Sequence, residues 1–263
     1  MRCCFITLGC RVNQYESDAM AELLTQAGFE ITENPAEADV CIVNTCTVTN
    51  IADRKSRQML SKAHKLNPNA KLIAAGCFAQ RSPEAAAKLE GVYAVLGSAD
   101  KNRVVELVKS VAEGRENEPK SEKCNCGEKE LCDCCGGMKK FEQPENSECS
   151  GNAAGGAKIL VRDVMHEHEF EEMSAVHEGR TRAYLKIQDG CNMFCTYCAI
   201  PYARGGLRSR SIESVRAEAE KLNNEGFSEV VLTGIHLMSY GRDLRSGTDI
   251  RDAVRCFDGL NNI

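Results

Sequence analysis

The chain has 263 residues, of which 43% are hydrophobic and 27% charged, and its formal net charge is −5. This length predicts one or two domains with an ordinary buried core. The longest apolar run, at 72–79, is far too short to cross a membrane, and the first residues show no secretory pattern. We therefore expect a soluble, cytoplasmic, monomeric protein without membrane contact.

The first 112 residues alternate strand and helix patterns. Short apolar runs predict strands at 3–8, 40–43, 72–75 and 94–96. Apolar residues at helical spacing predict helices at 14–27, 50–66 and 101–112, the first of them capped by Gly28. This alternation predicts an α/β fold in which a parallel sheet has helices on both faces.

Three cysteines follow strands of this predicted sheet: Cys10, Cys46 and Cys77. Because ligands bind beyond the carboxyl ends of parallel strands, we expect these thiols to meet at one edge of the sheet. Each lies in the turn that opens a helix, where the helix dipole stabilises a thiolate. Three matching positions favour an iron–sulfur cluster over the alternative that small cysteines merely fill turns. Three further cysteines lie within strands and are interpreted as core residues: Cys3, Cys4 and Cys41.

Residues 113–170 interrupt the pattern and are interpreted as an acidic insertion or linker. Residues 113–179 hold sixteen acidic and eight basic residues. The segment has too few large apolar residues to build its own core. It could bind zinc or iron, with His166, His168 or His177 as additional ligands, but no strand or helix period frames its cysteines, which favours a disordered linker. The cysteines in question are Cys124, Cys126, Cys132, Cys134, Cys135 and Cys149.

The most informative motif is the loop 190–198, which contains Cys191, Cys195 and Cys198. Sixteen cysteines in a chain without an export signal indicate metal binding rather than disulfides, because the cytosol keeps thiols reduced. A pair such as Cys195 and Cys198 also occurs in zinc sites and redox motifs, but a zinc site needs a second pair and a redox pair does not need Cys191. Three thiolates can hold three irons of a cubane cluster and leave the fourth iron open for chemistry.

The residues after Gly179 predict a second domain, 171–263. A strand is expected at 182–188, a helix at 212–224 with Ser211 as its N-cap, and a second strand at 229–233. This is the opening of a barrel with parallel strands. Residues 180–216 hold seven basic and two acidic residues, so positive charge gathers around the cysteine loop. Arg204, Arg208 and Arg210 are expected either to contact phosphate or substrate or to form a solvated basic loop.

The two cysteine triads and the sequences around them resemble those of one enzyme family. The loop 190–198, with aromatic Tyr197 before its last cysteine, resembles the signature of radical S-adenosylmethionine (radical SAM) enzymes. Residues 7–17 resemble the amino-terminal domain of the methylthiotransferases, and 188–210 resemble their radical SAM core. Residues 9–15 and 232–237 resemble the branch that modifies N6-threonylcarbamoyladenosine in tRNA. The sister branches act on isopentenyladenosine in tRNA and on a ribosomal protein.

The resemblance implies a function and a set of ligands. It implies two 4Fe-4S clusters, one on Cys10, Cys46 and Cys77 and the other on the cysteines of loop 190–198. Family members cleave S-adenosylmethionine at the second cluster, remove hydrogen from C2 of the adenine and insert sulfur held at the first. Tyr197, Thr233 and Gly234 then lie where the cofactor binds, although Thr233 and Gly234 also fit an ordinary strand-end turn.

The same resemblance implies partners and a missing part. The partners are the anticodon loop of tRNA and an electron donor such as flavodoxin or ferredoxin. Family barrels need about six strands and a carboxy-terminal RNA-binding domain, and residues 171–263 supply two strands. We therefore expect a truncated chain, and a metal-binding fragment without activity is the alternative to an enzyme.

Overall fold

The computed structural model describes residues 1–114, 150–152, 156–175 and 181–263. Its larger sheet has seven strands in the order β2-β1-β3-β4-β5-β7-β6. Six of them run parallel, and β6 pairs antiparallel with β7. The strands are β1 (Arg2–Thr7), β2 (Glu30–Ile31), β3 (Val40–Thr45), β4 (Lys71–Gly76), β5 (Val92–Leu96), β6 (Ser150–Asn152) and β7 (Lys158–Leu160).

Helices cover both faces of this sheet, as the alternating pattern predicts. The apolar faces of α1 and α5 bury one side, and α2, α3 and α4 bury the other. Cys3 faces the first core and Cys4 and Cys41 face the second, so their interpretation as core residues is confirmed. The helices are α1 (Arg11–Gln26), α2 (Asn50–Leu66), α3 (Cys77–Arg81), α4 (Pro83–Ala87) and α5 (Val104–Ala112).

The second part of the chain has its own small core. Strands β8 (Ala183–Lys186) and β11 (Val230–Thr233) pair in parallel, and α7 (Ile212–Asn224) and α8 (Ile250–Arg255) pack against them. Two short strands, β9 (Gln188–Asp189) and β10 (Arg208–Ser209), pair antiparallel beside the cysteine loop. Helix α6 (Ile200–Arg204) connects that loop to β10.

The helix boundaries with clear capping signals are those that the sequence predicts best. Helix α2 has the predicted bounds because the Thr49 side chain caps the N–H of Ala52. Helix α7 also has its predicted bounds, with Ser211 accepting from the N–H of Ser214. The strand at 158–160 was not predicted, and it brings part of the range assigned to the insertion into the first sheet.

The remaining sequence predictions concern the insertion, its histidines and membrane-spanning helices. The six insertion cysteines and His177 lie outside the described residues. His166 and His168 are exposed, as expected for solvated side chains. Within the described ranges, no helix combines the length and apolar character needed to span a bilayer.

Gly76, at the turn between β4 and Cys77, tests how tightly the first site is built. Its φ is +86°, and a Cβ there would lie 2.3 Å from the Asn44 side-chain oxygen and 2.7 Å from the Thr45 carbonyl. We expect Gly76→Ala to lower the free energy of unfolding by about 3 kcal/mol or more, because strain and overlap add. Gly28→Ala is the matched control, since Gly28 has φ +87° and open space around it. Its cost should be about 1–2 kcal/mol. Equal costs in urea unfolding would contradict this account of the turn.

Candidate functional site

The first cysteine triad lies at the carboxyl edge of the parallel sheet. Cys10 is exposed just before α1, whereas Cys46 and Cys77 are buried after β3 and at the start of α3. A Cβ on Gly9 would come within 3.1 Å of the Cys46 Sγ, so the backbone before Cys10 packs against that thiol. The Ser56 hydroxyl fixes Cys46, accepting from its N–H at 3.1 Å and donating to its carbonyl at 2.8 Å.

A cavity opens beside this triad. Its volume is about 280 Å³, and it is lined by Gly9, Cys46, Thr49 and Lys55 among others. The Cys10 thiol lies 3.7 Å from the side-chain oxygen of Asn13. Burial raises the pKa of the Cys77 thiol, and the positive charge of Arg204 opposes that rise. Because the cavity reaches Cys46, a small molecule or base can approach the triad from that side.

The second triad lies in the loop between β9 and α6. Cys195 is exposed, and Cys191 and Cys198 are partly buried. The loop begins at Gly190, whose φ is +66°. Only glycine fits there, because a Cβ would lie 1.7 Å from the carbonyl oxygen of Gly206. The Cys191 N–H donates to the Gly205 carbonyl at 3.1 Å, which closes the base of the loop. Tyr197 is 90% exposed, so the loop presents its aromatic side chain outward.

Gln188 connects this loop to the end of β11, a role that the sequence motifs do not indicate. Its amide donates to the carbonyl of Gly190 at 2.7 Å, and its oxygen accepts from the His236 N–H at 2.6 Å. A Cβ on Gly234 would lie 2.9 Å from the Gln188 Cβ, so glycine permits this close approach. Thr233 is buried, and its carbonyl accepts from the Ile187 N–H at 3.0 Å. Both predicted cofactor positions, Thr233 at the end of β11 and Gly234 just after it, therefore lie at the base of the cysteine loop.

A buried ionic cluster joins the two parts of the chain. Glu16, on α1, is fully buried and accepts two hydrogen bonds from Arg204, at 2.8 and 3.0 Å. Its Oε1 also accepts from Lys186 at 2.7 Å and lies 3.3 Å from the Lys101 ammonium. A second carboxylate, Asp189, pairs with Lys186 at 2.6 Å and with Arg204 at 3.0 Å. These five residues are named the interdomain cluster.

The charges of the interdomain cluster keep its members ionised despite their burial. Burial alone would raise the pKa of the Glu16 carboxyl, but the charges of Arg204, Lys101 and Lys186 hold it well below its usual range. Burial also opposes the charge on Lys186, and the carboxylates of Asp189 and Glu16 raise its pKa nonetheless. The cluster has three cations and two carboxylates, and a third carboxylate, Glu171, lies 3.9 Å from the Lys101 ammonium.

The expectation of a solvated basic loop was wrong for the three arginines after the cysteine loop, whereas their contact with a substrate stays a prediction. Arg204, Arg208 and Arg210 are at most 4% exposed, so they are neither a solvated loop nor a surface for phosphate. Arg208 lies 3.8 Å from Asp189, and Arg210 lies 3.0 Å from Glu172. Their partners are distant in sequence, which is why local charge counting misplaces them.

Arg204 physically connects the two cysteine sites. Its Nη2 donates to the Asn13 side-chain oxygen at 2.6 Å, and Asn13 in turn lies beside Cys10. Helix α6, which ends at Arg204, also contacts α3, which begins at Cys77. On its other side, the carbonyl of the next residue, Gly205, holds the Cys191 N–H. The edge of the first sheet and the base of the second loop therefore share one rigid contact.

The donor chemistry of both triads fits iron–sulfur clusters. All six thiols are free of disulfides, and thiolate is the ligand that such clusters use. Within residues 1–114, 150–152, 156–175 and 181–263, no three cysteine, histidine or acidic side chains are already gathered closely enough to share one ion. Cluster binding therefore requires the thiols of each triad to draw together, which the exposed loop 190–198 permits.

Glu16→Gln tests the interdomain cluster. It leaves the three buried cations with Asp189 and the more distant Glu171, which lies 3.9 Å from Lys101, so we expect the free energy of unfolding to fall by about 3–5 kcal/mol. The matched control is Glu37→Gln, which removes an exposed carboxylate that pairs with Arg2 at 3.0 Å. Its cost should be about 1 kcal/mol or less. Urea unfolding measures both, and a Glu16→Gln cost as small as the control's would contradict the role given to Glu16.

Comparisons with known proteins match both parts of the chain. A family model described as "Uncharacterized protein family UPF0004" matches residues 2–97, and the radical SAM superfamily model matches residues 185–245. The solved radical S-adenosylmethionine methyltransferase TsrM of Kitasatospora setae is similar in fold. Its TM-score is 0.55 at 15% sequence identity, over 97% of this chain and 50% of that one.

Curated relatives extend the similarity across both parts. Threonylcarbamoyladenosine tRNA methylthiotransferase MtaB of Bacillus subtilis is 38% identical over 92% of this chain and 45% of its own length. Ribosomal protein uS12 methylthiotransferase RimO of Chloroflexus aurantiacus is 32% identical over 91% of this chain and 47% of its own. The chain thus spans about half the length of the curated relatives it matches. The two family models match in the order in which the two cysteine triads occur, and the chain is similar to radical SAM methylthiotransferases over most of its length.

Proposed function

We propose that this chain carries the cluster-binding part of a tRNA methylthiotransferase that acts on C2 of N6-threonylcarbamoyladenosine in the anticodon loop. The observation that carries the proposal is the pair of cysteine triads on either side of Arg204. One triad lies at a sheet edge beside a cavity, and the other lies in a loop with the radical SAM spacing. MtaB relatives are 30–38% identical to this chain and RimO relatives 31–32%, and the three MtaB relatives at 34–38% favour tRNA over a ribosomal protein.

The cofactors of this proposal are two 4Fe-4S clusters and S-adenosylmethionine. Cys191, Cys195 and Cys198 hold one cluster, and the thiols at the sheet edge, Cys10, Cys46 and Cys77, hold the other. When bound, these groups supply the electron, the sulfur and the methyl group of the reaction, and a flavodoxin or ferredoxin supplies reducing equivalents. The proposed enzyme is cytoplasmic, since free thiols require a reducing compartment. We also propose that it is a monomer.

The chain's own residues position these groups. Gly190 and Gln188 shape the base of the cysteine loop, and Thr233, Gly234 and the exposed Tyr197 offer surface for S-adenosylmethionine near it. The interdomain cluster keeps the sheet edge facing this loop, so that a substrate carbon activated at one site can receive sulfur at the other. An anticodon base suits such a site because unstacking a loop base costs little.

Reconstituted protein should cleave S-adenosylmethionine to 5′-deoxyadenosine under reducing conditions. Cys198→Ala should abolish this cleavage because the cluster loses one of three ligands. Cys46→Ala should retain it, since it removes a ligand of the other site. Chromatography of the nucleoside products measures both, and cleavage that depends on Cys46 but not on Cys198 would overturn the assignment of roles.

Substrate choice is tested with three acceptors: tRNA bearing N6-threonylcarbamoyladenosine, tRNA bearing isopentenyladenosine, and ribosomal protein uS12. Mass spectrometry should find a methylthio group in place of hydrogen only in the first. Modification of uS12 instead would favour the ribosomal-protein branch. If S-adenosylmethionine is not cleaved and the purified chain holds zinc without iron, it is a metal-binding fragment and the proposal fails.

A further inference from the structure

Helix α2 has an exposed row of cations that the proposed chemistry does not use. Positions three and four apart lie on one face of a helix, and the residues named next follow that spacing. They line a shallow cleft of about 550 Å³. The α2 stripe consists of Arg54, Arg57, Gln58, Ser61, Lys62 and Lys65.

The cations of the α2 stripe are not neutralised by neighbouring acids. Among the residues that the structure describes, no carboxylate forms an ion pair with any of the four cations of the stripe, which are Arg54, Arg57, Lys62 and Lys65. Asp53, the acidic residue of this helix, hydrogen-bonds to Thr47 instead. Some exposed arginines elsewhere do pair with carboxylates, as Arg182 does with Glu229 at 3.3 Å. In a chain of net charge −5, the stripe is therefore a local patch of positive potential.

The α2 stripe leads to the first cysteine triad. Lys55, which is also exposed, lies next to Arg54 and lines the 280 Å³ cavity together with Cys46. Ile51 lines the same cavity and is 65% exposed, so it offers an apolar contact there. Arg57 lies over the ring of Phe78, the residue after Cys77, at 5.5 Å. The stripe and the cavity thus lie on the same helix, and their linings meet at the neighbouring residues Arg54 and Lys55.

We propose that the α2 stripe binds the sugar–phosphate backbone of the RNA substrate and directs its loop toward the cavity at Cys46. The choice of RNA rests on the proposed function. From Arg54 to Lys65 the helix extends about 16 Å at 1.5 Å per residue, which spans several phosphates at about 3.4 Å per nucleotide of a duplex strand. The stripe contains no apolar residue, whereas the core of a protein–protein interface is apolar and poor in charge.

The test replaces Arg54, Lys62 and Lys65 together by glutamine, which keeps the helix propensity and leaves Arg57 on Phe78. The binding of a fluorescent anticodon stem-loop RNA to the chain is measured by fluorescence anisotropy, without iron or S-adenosylmethionine. We expect affinity at about 0.1 M salt to fall by about tenfold or more, and the slope of log affinity against log salt to fall by about 2–3. The loss should be the same for modified and unmodified RNA, because phosphate contacts do not read the base.

The matched control removes the same charge from paired, exposed sites: Arg182→Gln, Arg251→Gln and Arg255→Gln together. It should change neither affinity nor slope. An equal loss in both variants, unchanged binding by the stripe variant, or no RNA binding by the unaltered chain would overturn the proposal. So would a stripe variant that keeps RNA but loses binding to an acidic flavodoxin, since the stripe would then dock protein. If RNA binds through the stripe but is never methylthiolated, the proposed function is refuted while the proposal that the α2 stripe binds RNA stands.

Discussion

The carboxylate of Glu16 is the constraint on which the arrangement of this protein depends. It is fully buried and neutralises cations from three different segments: Lys101, Lys186 and Arg204. Burying an ion costs several kcal/mol unless it is paired and hydrogen-bonded, so these segments are stable only when they meet at Glu16. Since Lys186 and Arg204 come from the second part of the chain, Glu16 helps to fix how that part docks on the sheet, together with bridging hydrogen bonds such as that from Ser98 to the Ala203 carbonyl at 2.6 Å.

This docking has a chemical consequence for the two cysteine sites. Arg204 touches Asn13, beside Cys10, and its neighbour Gly205 holds Cys191. The cluster places the positive charge of Arg204 near Cys77, one of the thiols that must become thiolates to bind iron. Positive charge favours a thiolate and opposes the effect of burial. Arg204, which holds the two parts of the chain together, thus opposes the rise that burial causes in the pKa of the Cys77 thiol.

Local physical rules were sufficient to predict much of this fold from the sequence. Thr49 and Ser211 cap the helices that follow them, so the bounds of α2 and α7 could be predicted. The alternation of strands and helices placed the first cysteines at one sheet edge. Strand β7 could not be predicted because it joins the sheet through a pairing with β5 that no local pattern encodes. The arginines after the loop were misassigned for the same reason, since Glu16 lies 188 residues before Arg204.

The proposed function depends most directly on the two triads being separate cluster sites. The measurement is the iron and labile sulfide content per chain after anaerobic reconstitution, for the unaltered chain and for variants with either triad replaced by alanine. Two cubanes predict about eight irons in the unaltered chain and about four in each variant. A value of about four in the unaltered chain that is unchanged when Cys10, Cys46 and Cys77 are replaced would contradict the account.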